Sequence, residues 1–409
     1  MKYYIILQPC IRSMGGEEMY TRNKVISARE QGYYPIVFHS GIGEKIYIED
    51  LEQYDQYEFS EFRYEPCVIS KCKKKYLIDR IEAILKDCDK NSVLESHEIL
   101  VAEWGEWIAE KLKIRHFVYM LLEHNVLSQQ SLCDFFKFKY ERHELAGIHT
   151  NTIPDMLKKS IQKVEGFFLP AYCNNVYEDI PCKAEFKTGN ADFTIGTIGR
   201  ANKKYVQPMI GSILRFVSKY SDKTFNILYV GGAADKSSEE KVISRLSTIP
   251  NVRLFFTGMI FPISIEMIRQ MDVCIASAGS CVISHRCGIP TITIDGNDSK
   301  AIGILGATTR NKLFRNTSEP QIEIEELLKE VLIDKKYTKS DQITRQEVDF
   351  SSHWEFVKNM ETERNYFDIN TIKYPFKKKC VVVFLGYYYG LKPSSRQHRL
   401  IERLLSFLK

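Results

Sequence analysis

Short apolar runs alternate with amphipathic stretches along the first 170 residues of the chain. The apolar runs are rich in β-branched and aromatic residues, which predicts strands, and the stretches between them have helical periodicity. Predicted strands cover residues 3–7, 34–38, 92–94 and 117–121, and predicted helices cover 17–31, 73–87 and 102–112. Strands that alternate with helices in this way predict a mostly parallel, doubly wound sheet. The sequence therefore predicts an N-terminal Rossmann-like domain over residues 1–170.

The same alternation returns after a stretch that breaks the pattern. Residues 171–192 are irregular, and we interpret them as an interdomain linker. Beyond it, predicted strands cover 193–198, 225–230, 253–257, 273–276 and 291–294, with helices at 207–220, 237–247, 264–271, from about 280, and at 323–333. The fold class is therefore α/β, with a second Rossmann-like domain over residues 193–365 and a cleft between two sheet edges.

Residues 366–409 form a predicted extension with a plan of its own. From residue 379 onward the pattern is strand, glycine-containing loop and helix, as in residues 2–31. The extension either begins a further domain or adds to the first sheet, and the sequence leaves both interpretations open.

Composition narrows the class of protein. The chain has 409 residues, 44% hydrophobic and 27% charged, and a formal net charge of +5. This charge is too weak to predict a nucleic-acid partner, but it suits anionic ligands or an anionic membrane surface. The N-terminus is interpreted as a strand rather than a signal peptide. No run approaches the roughly 20 apolar residues of a membrane span.

The cysteines and one basic segment indicate the compartment. Eleven scattered cysteines without a C-x-x-C pair predict reduced thiols and a cytoplasmic protein, with no structural zinc. Residues 135–140 interleave lysines with aromatic rings. This segment is either a peripheral contact with the inner face of an anionic membrane or an amphipathic core helix.

Two cations follow the first predicted strand of the second domain. The apolar run 193–198 ends in Gly199-Arg200, and Lys204 stands four residues after the arginine. Ligands bind at the carboxyl edge of open parallel sheets, where this loop lies. A forked guanidinium and a compact ammonium suit a diphosphate. We predict that Arg200 and Lys204 bind one; the alternative is that both are solvated loop charges.

Two further loops combine glycine with a predicted helix start. Gly15-Gly16 and Ala278-Gly279-Ser280 each follow a strand, and backbone amides at a helix start favour phosphate oxygens. The alternatives are a plain turn at the first loop and a structural N-cap at Ser280.

The order and spacing of these segments resemble the retaining GT-B glycosyltransferases of family four. The resemblance extends over residues 1 to about 365. It is carried by Gly15-Gly16-Glu17-Glu18, Gly199-Arg200 with Lys204, the glycine pair Gly231-Gly232, the stretch from Asn251 to Gly258, and the string MDVCIASAGSCVISHRCGIPTITIDG at 271–296.

The resemblance implies the GT-B fold, with an acceptor-side first domain and a second domain that binds a nucleotide sugar. The donor contacts that it implies are Gly15, Gly16, Gly199, Gly258, Met259, Ala278, Gly279, Ser280 and Ser284. The sequence departs from the family at two glutamates normally spaced eight positions apart, both absent here. Ile283 stands near the place of the second, which in the family binds the donor's ribose.

A histidine is the candidate at the reacting sugar. His97 follows a short predicted strand, where members of the family often carry a histidine that faces the donor sugar. Such a group can orient an acceptor hydroxyl or relay its proton. The alternative is a polar loop histidine. Glu98 is the alternate base, and His124 is a further candidate for the cleft.

These features together predict a metal-independent glycosyltransferase with His97, Arg200 and Lys204 as catalytic residues. It would move a sugar from a nucleotide-diphosphate sugar, its co-substrate, to a saccharide or lipid-linked saccharide in surface polysaccharide or glycan synthesis. No cofactor and no metal site are expected. The alternatives are a nucleotide-sugar 2-epimerase of the same fold and a GT-B binding module without catalysis, which the missing glutamates favour.

Nucleotide binding is expected to depend on the diphosphate more than on the nucleoside. Ser280, Ser284 and backbone groups would replace a ribose-binding carboxylate, and neutral partners bind hydroxyls more weakly. In calorimetry, nucleoside diphosphates should bind much better than monophosphates, and added salt should weaken binding. A bare nucleoside that binds as tightly as its diphosphate would contradict this prediction.

Overall fold

The computed structural model describes residues 1–43, 45–122, 127, 129–158, 167–173, 177–233, 235–345, 347–360 and 363–374. Its first sheet has six parallel strands in the order β3-β2-β1-β4-β5-β6. These strands are β1 (Tyr3–Gln8), β2 (Tyr34–His39), β3 (Asp55–Glu58), β4 (Val93–His97), β5 (Arg115–Met120) and β6 (Leu145–Gly147). The order reverses direction between β1 and β4, which makes a crevice at their carboxyl ends.

Helices cover both faces of this sheet. They are α1 (Gly16–Glu30), α2 (Lys71–Ile84), α3 (Glu98–Leu112), α4 (Gln130–Glu141) and α5 (Thr152–Leu157). All six residues of β1 are buried, as are all five of β4. Burial on both faces explains why β1 appears in the sequence as a continuous apolar run, whereas β4 buries the polar residues Glu95, Ser96 and His97.

The second sheet repeats the plan, with the order β10-β9-β8-β12-β13-β14. Its strands are β8 (Phe193–Ile198), β9 (Phe225–Val230), β10 (Val252–Phe256), β12 (Val273–Ala276), β13 (Thr291–Ile294) and β14 (Ala301–Ile304), and a separate parallel pair joins β7 (Tyr177–Glu178) to β11 (Ile263–Ser264). Only β14 runs antiparallel to its neighbour in this sheet. The associated helices are α6 (Val206–Lys219), α7 (Lys236–Leu246), α8 (Ile265–Arg269), α9 (Gly279–Arg286) and α10 (Ile324–Leu328), which continues into a π-helical turn at Lys329–Ile333.

The chain then returns to the first sheet. Helix α11 (Ser351–Asn359) packs Trp354 against Tyr4 and Tyr33, with ring centroids 5.3 and 5.7 Å apart. Farther on, the Phe367 amide donates to Glu106 Oε1 at 2.7 Å. The sequence assigned residues up to 365 to the second domain, whereas α11 and residues 363–374 pack on the first. The helical pattern of α11 gives no sign of this, because it shows an apolar face without showing its partner.

The basic, aromatic segment 135–140 belongs to α4 and to the core. Phe135 and Phe136 are fully buried, and Lys139 is buried between Glu106 at 2.8 Å and Glu144 at 2.6 Å. Of the two interpretations of this segment, the amphipathic core helix fits the structure. The other two aromatic rings of the segment, Phe138 and Tyr140, are half-buried.

Other expectations meet the structure as follows. The strands predicted at 193–198, 225–230, 273–276 and 291–294 have the observed bounds, while the short β3, β6 and β14 were not predicted.

Ten cysteines of the described ranges have free thiols. Among the helices that can be described, none is long and apolar enough to cross a membrane. His124 and the strand–loop–helix predicted from residue 379 lie outside the described residues.

The packing of α11 on the first sheet should contribute measurably to stability. Phe356 is 9% exposed, and its ring lies 5.4 Å from Phe117 of β5. Phe356→Ala should lower the free energy of unfolding by about 3 kcal/mol, because it leaves a cavity at this contact. Glu355→Ala, at an exposed neighbouring position, is the matched control and should change it by less than about 0.5 kcal/mol. Equal effects of the two substitutions in denaturant titrations would show that α11 is not held by this contact.

Candidate functional site

Two glycines bring the β8 and β9 loops together at the carboxyl edge of the second sheet. Gly199 and Gly231 have φ values of 152° and 139°. A Cβ on Gly231 would lie 2.1 Å from the carbonyl oxygen of Gly199, and one on Gly199 would lie 2.9 Å from Tyr205 Oη. Larger residues would therefore push the loops apart. Because the two loops approach so closely, their backbone atoms form one surface, which we call the loop surface, and Arg200 lies at its edge.

The next loop joins this surface from β10. Gly258 has a φ of 64°, and a Cβ on Gly232 would lie 2.9 Å from the amide nitrogen of Met259. Gly258 and Met259 are both half-buried. The structure thus places both predicted donor contacts beside the β9 loop.

Helix α9 completes the edge after β12. Ala278 has a φ of 55°, a strained value for a residue with a side chain, and its amide donates to the Lys312 carbonyl at 2.7 Å. A Cβ on Gly199 would lie 4.0 Å from Ser280 Oγ, so the start of α9 adjoins the β8 loop. The amides of Gly279 and Ser280 belong to the first turn, where a helix has no partners of its own for them.

The predicted donor contact Ser284 lies inside the second domain and not at the loop surface. Its side chain is fully buried, and its hydroxyl lies 3.2 Å from the Cys281 carbonyl and 2.8 Å from Thr291 Oγ1 of β13. It therefore fastens α9 to the sheet, and its hydroxyl is not at the loop surface where the sequence placed it as a donor contact.

Arg200 and Lys204 are both exposed on the loop between β8 and α6. Neither forms an ion pair within the described part of the chain. Burial raises the pKa of Glu18, at the start of α1, and Arg200 lies near enough for its charge to offset part of that rise. The carboxyl edges of the two sheets are therefore close to one another at this point.

The opposing edge of the first sheet begins α1 at Gly15 and Gly16. Gly15 precedes the helix without a side-chain cap, and a Cβ on Gly16 would lie 3.6 Å from Cys173 Sγ in the linker. The first turn carries two acids, Glu17 and Glu18. Acidic side chains stabilise a helix start. Here Glu17 is half-buried and Glu18 is buried.

His97 ends β4 and lies fully buried between two carboxylates. Its Nε2 is 3.0 Å from Glu95 Oε1, and its Nδ1 is 3.3 Å from Glu17 Oε1. Burial alone would lower the pKa of His97, but contact with Glu17 and Glu95 and their charges raise it to about 9. The imidazolium is therefore the form present at neutral pH. The Glu17 side chain is 25% exposed and connects this buried group to the cleft.

Glu95 is held in turn by residues behind the site. It accepts hydrogen bonds from Tyr4 and, at 2.5 Å, from Tyr20. Although burial raises the pKa of Glu95, the hydrogen bond with His97 and the charge of Lys24 bring it down to about 2. Tyr20 Oη also lies 3.4 Å from His353 Nδ1 of α11.

The sequence analysis missed Glu95, Glu17 and Glu18 as members of the site. One signal was present, since Glu95 and His97 are two residues apart on a strand and so share a face. The Gly-Gly-Glu-Glu loop gave no such signal, because its meeting with β4 depends on the crossover. Glu98, the alternate base, has a φ of 68° and begins α3. Within the described ranges, no group of three potential ligands could hold a metal ion.

Comparison with known proteins supports the architecture. No model of a known protein family matches the sequence, and no curated protein sequence matches it. The S. aureus MnaA–UDP structure is similar over 90% of this chain and 99% of that one, with a TM-score of 0.50 and 12% identity. A glycosyltransferase from Rickettsia africae ESF-5 is similar over 81% and 87%, with a TM-score of 0.50 and 14% identity.

This chain has the GT-B fold. The prediction of two Rossmann-like domains is thereby confirmed. Sequence identities of 12% and 14% do not assign the chain to a family within the GT-B fold. In the GT-B arrangement, the Arg200 loop and the Glu17–Glu18 turn are the facing edges of the cleft between the domains.

The buried acid at the cleft should make stability depend on pH. Burial, reinforced by Glu17, raises the pKa of Glu18 to about 7 from an ordinary 4.5. The unfolded chain therefore loses this proton at lower pH than the folded protein. The protonated Glu18 side chain therefore stabilises the folded protein fully below about pH 4.5, and this stabilisation is lost as the pH rises to about 7.

Glu18→Gln should remove this dependence. The variant and the parent should have similar free energies of unfolding at the acid end of that window. At pH 8 (about one unit above the window) the variant should be more stable by roughly 2–3 kcal/mol. Glu30→Gln, at an exposed site on the same helix, is the control. A Glu18→Gln variant that is less stable than the parent at the higher pH would refute the assignment.

Proposed function

We propose that the protein transfers a sugar from a nucleotide-diphosphate sugar to a saccharide or lipid-linked saccharide. The observation that carries the proposal is the pairing of two chemically different edges across one cleft. The second sheet presents the exposed cations Arg200 and Lys204 beside glycine loops and the start of α9. The first sheet presents Glu17 and Glu18 with the buried His97.

The cationic edge suits the leaving group. A nucleoside diphosphate gains negative charge as the bond to the sugar breaks, and preorganised donors stabilise that charge most in the transition state. Arg200 can bind two phosphate oxygens at once, and Lys204 adds a second charge. We assign to these side chains and the α9 amides the neutralisation that a metal ion gives in other transferases. The presence of UDP in the MnaA structure makes uridine nucleotides the first donors to test.

The acidic edge suits the acceptor. Because the imidazolium of His97 is already protonated, we assign it to orienting Glu17 and stabilising charge rather than to removing a proton. The exposed part of Glu17 is then placed to accept a hydrogen bond from an acceptor hydroxyl. In the retaining mechanism that we propose, the departing phosphate takes the hydroxyl proton on the same face of the sugar.

A 2-epimerase is the second candidate, because such a reaction requires carboxylates at the cleft. The first turn of α1 offers two, the half-buried Glu17 and the buried Glu18. Incubation with a nucleotide sugar and no acceptor separates the two activities: an epimerase yields an isomeric nucleotide sugar, whereas a transferase needs an acceptor. Nucleotide binding without turnover in either assay would favour a binding module.

Arg200→Ala is the decisive variant for the transfer reaction. It should lower kcat/KM by a factor equivalent to about 2–4 kcal/mol, since it removes a contact that strengthens as the leaving group gains charge. Lys219→Ala, which removes an exposed cation from the far end of α6, should leave kcat/KM unchanged. The assays are run in EDTA, because the proposal assigns charge neutralisation to side chains. A threefold loss or less at Arg200 would remove this residue from the site.

A further inference from the structure

Helix α2 carries its charge at the unfavourable end. Its first five positions are Lys71, Cys72, Lys73, Lys74 and Lys75, and its first turn contains no acid. The N-terminal end of a helix has a partial positive charge, so lysines there oppose the helix dipole. This arrangement lowers helix stability and calls for another explanation.

Three of these lysines form no ion pair with any residue that the structure describes, although Asp79 lies four residues after Lys75. Lys71, Lys73 and Lys75 are exposed, and they form no ion pair within the described part of the chain. By contrast, Lys137 on α4 pairs with Glu141 and Lys139 pairs with two glutamates. Ser70 already caps the helix, accepting from the Lys73 amide at 3.3 Å. The groups at this helix end that are available to a ligand are therefore the lysine ammonium groups rather than the backbone amides.

An aromatic ring lies beside them. Tyr76 is 61% exposed, whereas Leu77 and Ile81 of the same helix are buried. We call Lys71, Lys73, Lys75 and Tyr76 the α2 patch. Lysines around an exposed tyrosine match the interface of an anionic bilayer, where ammoniums meet headgroups and the ring lies at headgroup depth.

We propose that the α2 patch is the surface by which the protein lies on an anionic membrane. The inference goes beyond the proposed function and does not depend on the transfer reaction. A bilayer fits better than a nucleic acid because the patch is the convex start of one helix. The formal net charge of +5 supplies no extended basic groove. Segment 135–140 fits this role less well, because Phe135 and Phe136 are buried and Phe138 and Tyr140 are half-buried.

The test is vesicle co-sedimentation of the full chain. Vesicles of phosphatidylglycerol and phosphatidylcholine in equal parts should bind the protein at low salt, and vesicles of phosphatidylcholine alone should not. The combined variant Lys71→Gln, Lys73→Gln and Lys75→Gln should partition roughly 100-fold more weakly, the loss expected when three lysines leave an anionic surface. Tyr76→Ser should weaken binding by a smaller factor and leave its salt dependence intact.

A matched control variant has the same net charge as the test variant. Exposed lysines on α6 and α7 of the second domain provide it: Lys219, Lys236 and Lys241. Replacing all three with Gln should leave vesicle binding unchanged. Binding of UDP by calorimetry, and the unfolding midpoint, should be alike in both triple variants, which separates this proposal from the proposed function.

Three results would overturn the proposal. One is vesicle binding that survives loss of the α2 lysines, and another is an equal loss in the control variant. The third is binding of a single-stranded oligonucleotide that depends on the α2 lysines while vesicles are not bound, since that would make the partner a nucleic acid.

Discussion

The buried carboxylate of Glu95 is the interaction on which the arrangement of the first domain depends. A charge in the interior of a sheet is costly unless it is paired and its lone pairs are satisfied. Here His97 supplies the opposite charge, Tyr4 and Tyr20 donate hydrogen bonds, and Lys24 lies close enough to lower the pKa of the carboxyl. These partners come from β1, β4 and α1, so the position of Glu95 fixes how three elements meet behind the cleft.

The same network reaches the end of the described chain. Lys24 is fully buried with no hydrogen-bond partner within the described residues, and its Nζ lies 4.1 Å from the ring centroid of Trp354 on α11. Burial lowers the pKa of Lys24 to about 8. His353, one residue earlier, donates from Nε2 to the carbonyl of Pro170, just before the linker, at 2.9 Å, and its Nδ1 lies 3.4 Å from Tyr20 Oη. The returning helix and the segment between the domains are thus both tied to the group that holds His97.

The two edges of the cleft differ in how they hold charge, and the difference suits their proposed roles. Arg200 and Lys204 are exposed on a loop, where a charged ligand can reach them and salt can screen them. His97 and Glu95 are removed from water, where a fixed pair keeps its geometry and its protonation state. In the proposed reaction, the diphosphate would meet exposed cations on one side, and the acceptor hydroxyl would meet Glu17, which the buried His97 holds, on the other.

The sequence by itself determined the repeated strand–helix order, the strand at 193–198 with its Gly199-Arg200 turn, and the placement of His97 at a strand end. These follow from local physics, because periodicity, β-branched runs and glycine turns act over a few residues. It did not determine the position of Glu17 and Glu18, the inward turn of Ser284, the burial of Lys139 or the return of α11. Each of these depends on which distant element covers a side chain. An apolar face or a lone charge has the same local pattern whatever lies opposite, and only the tertiary structure decided what that was.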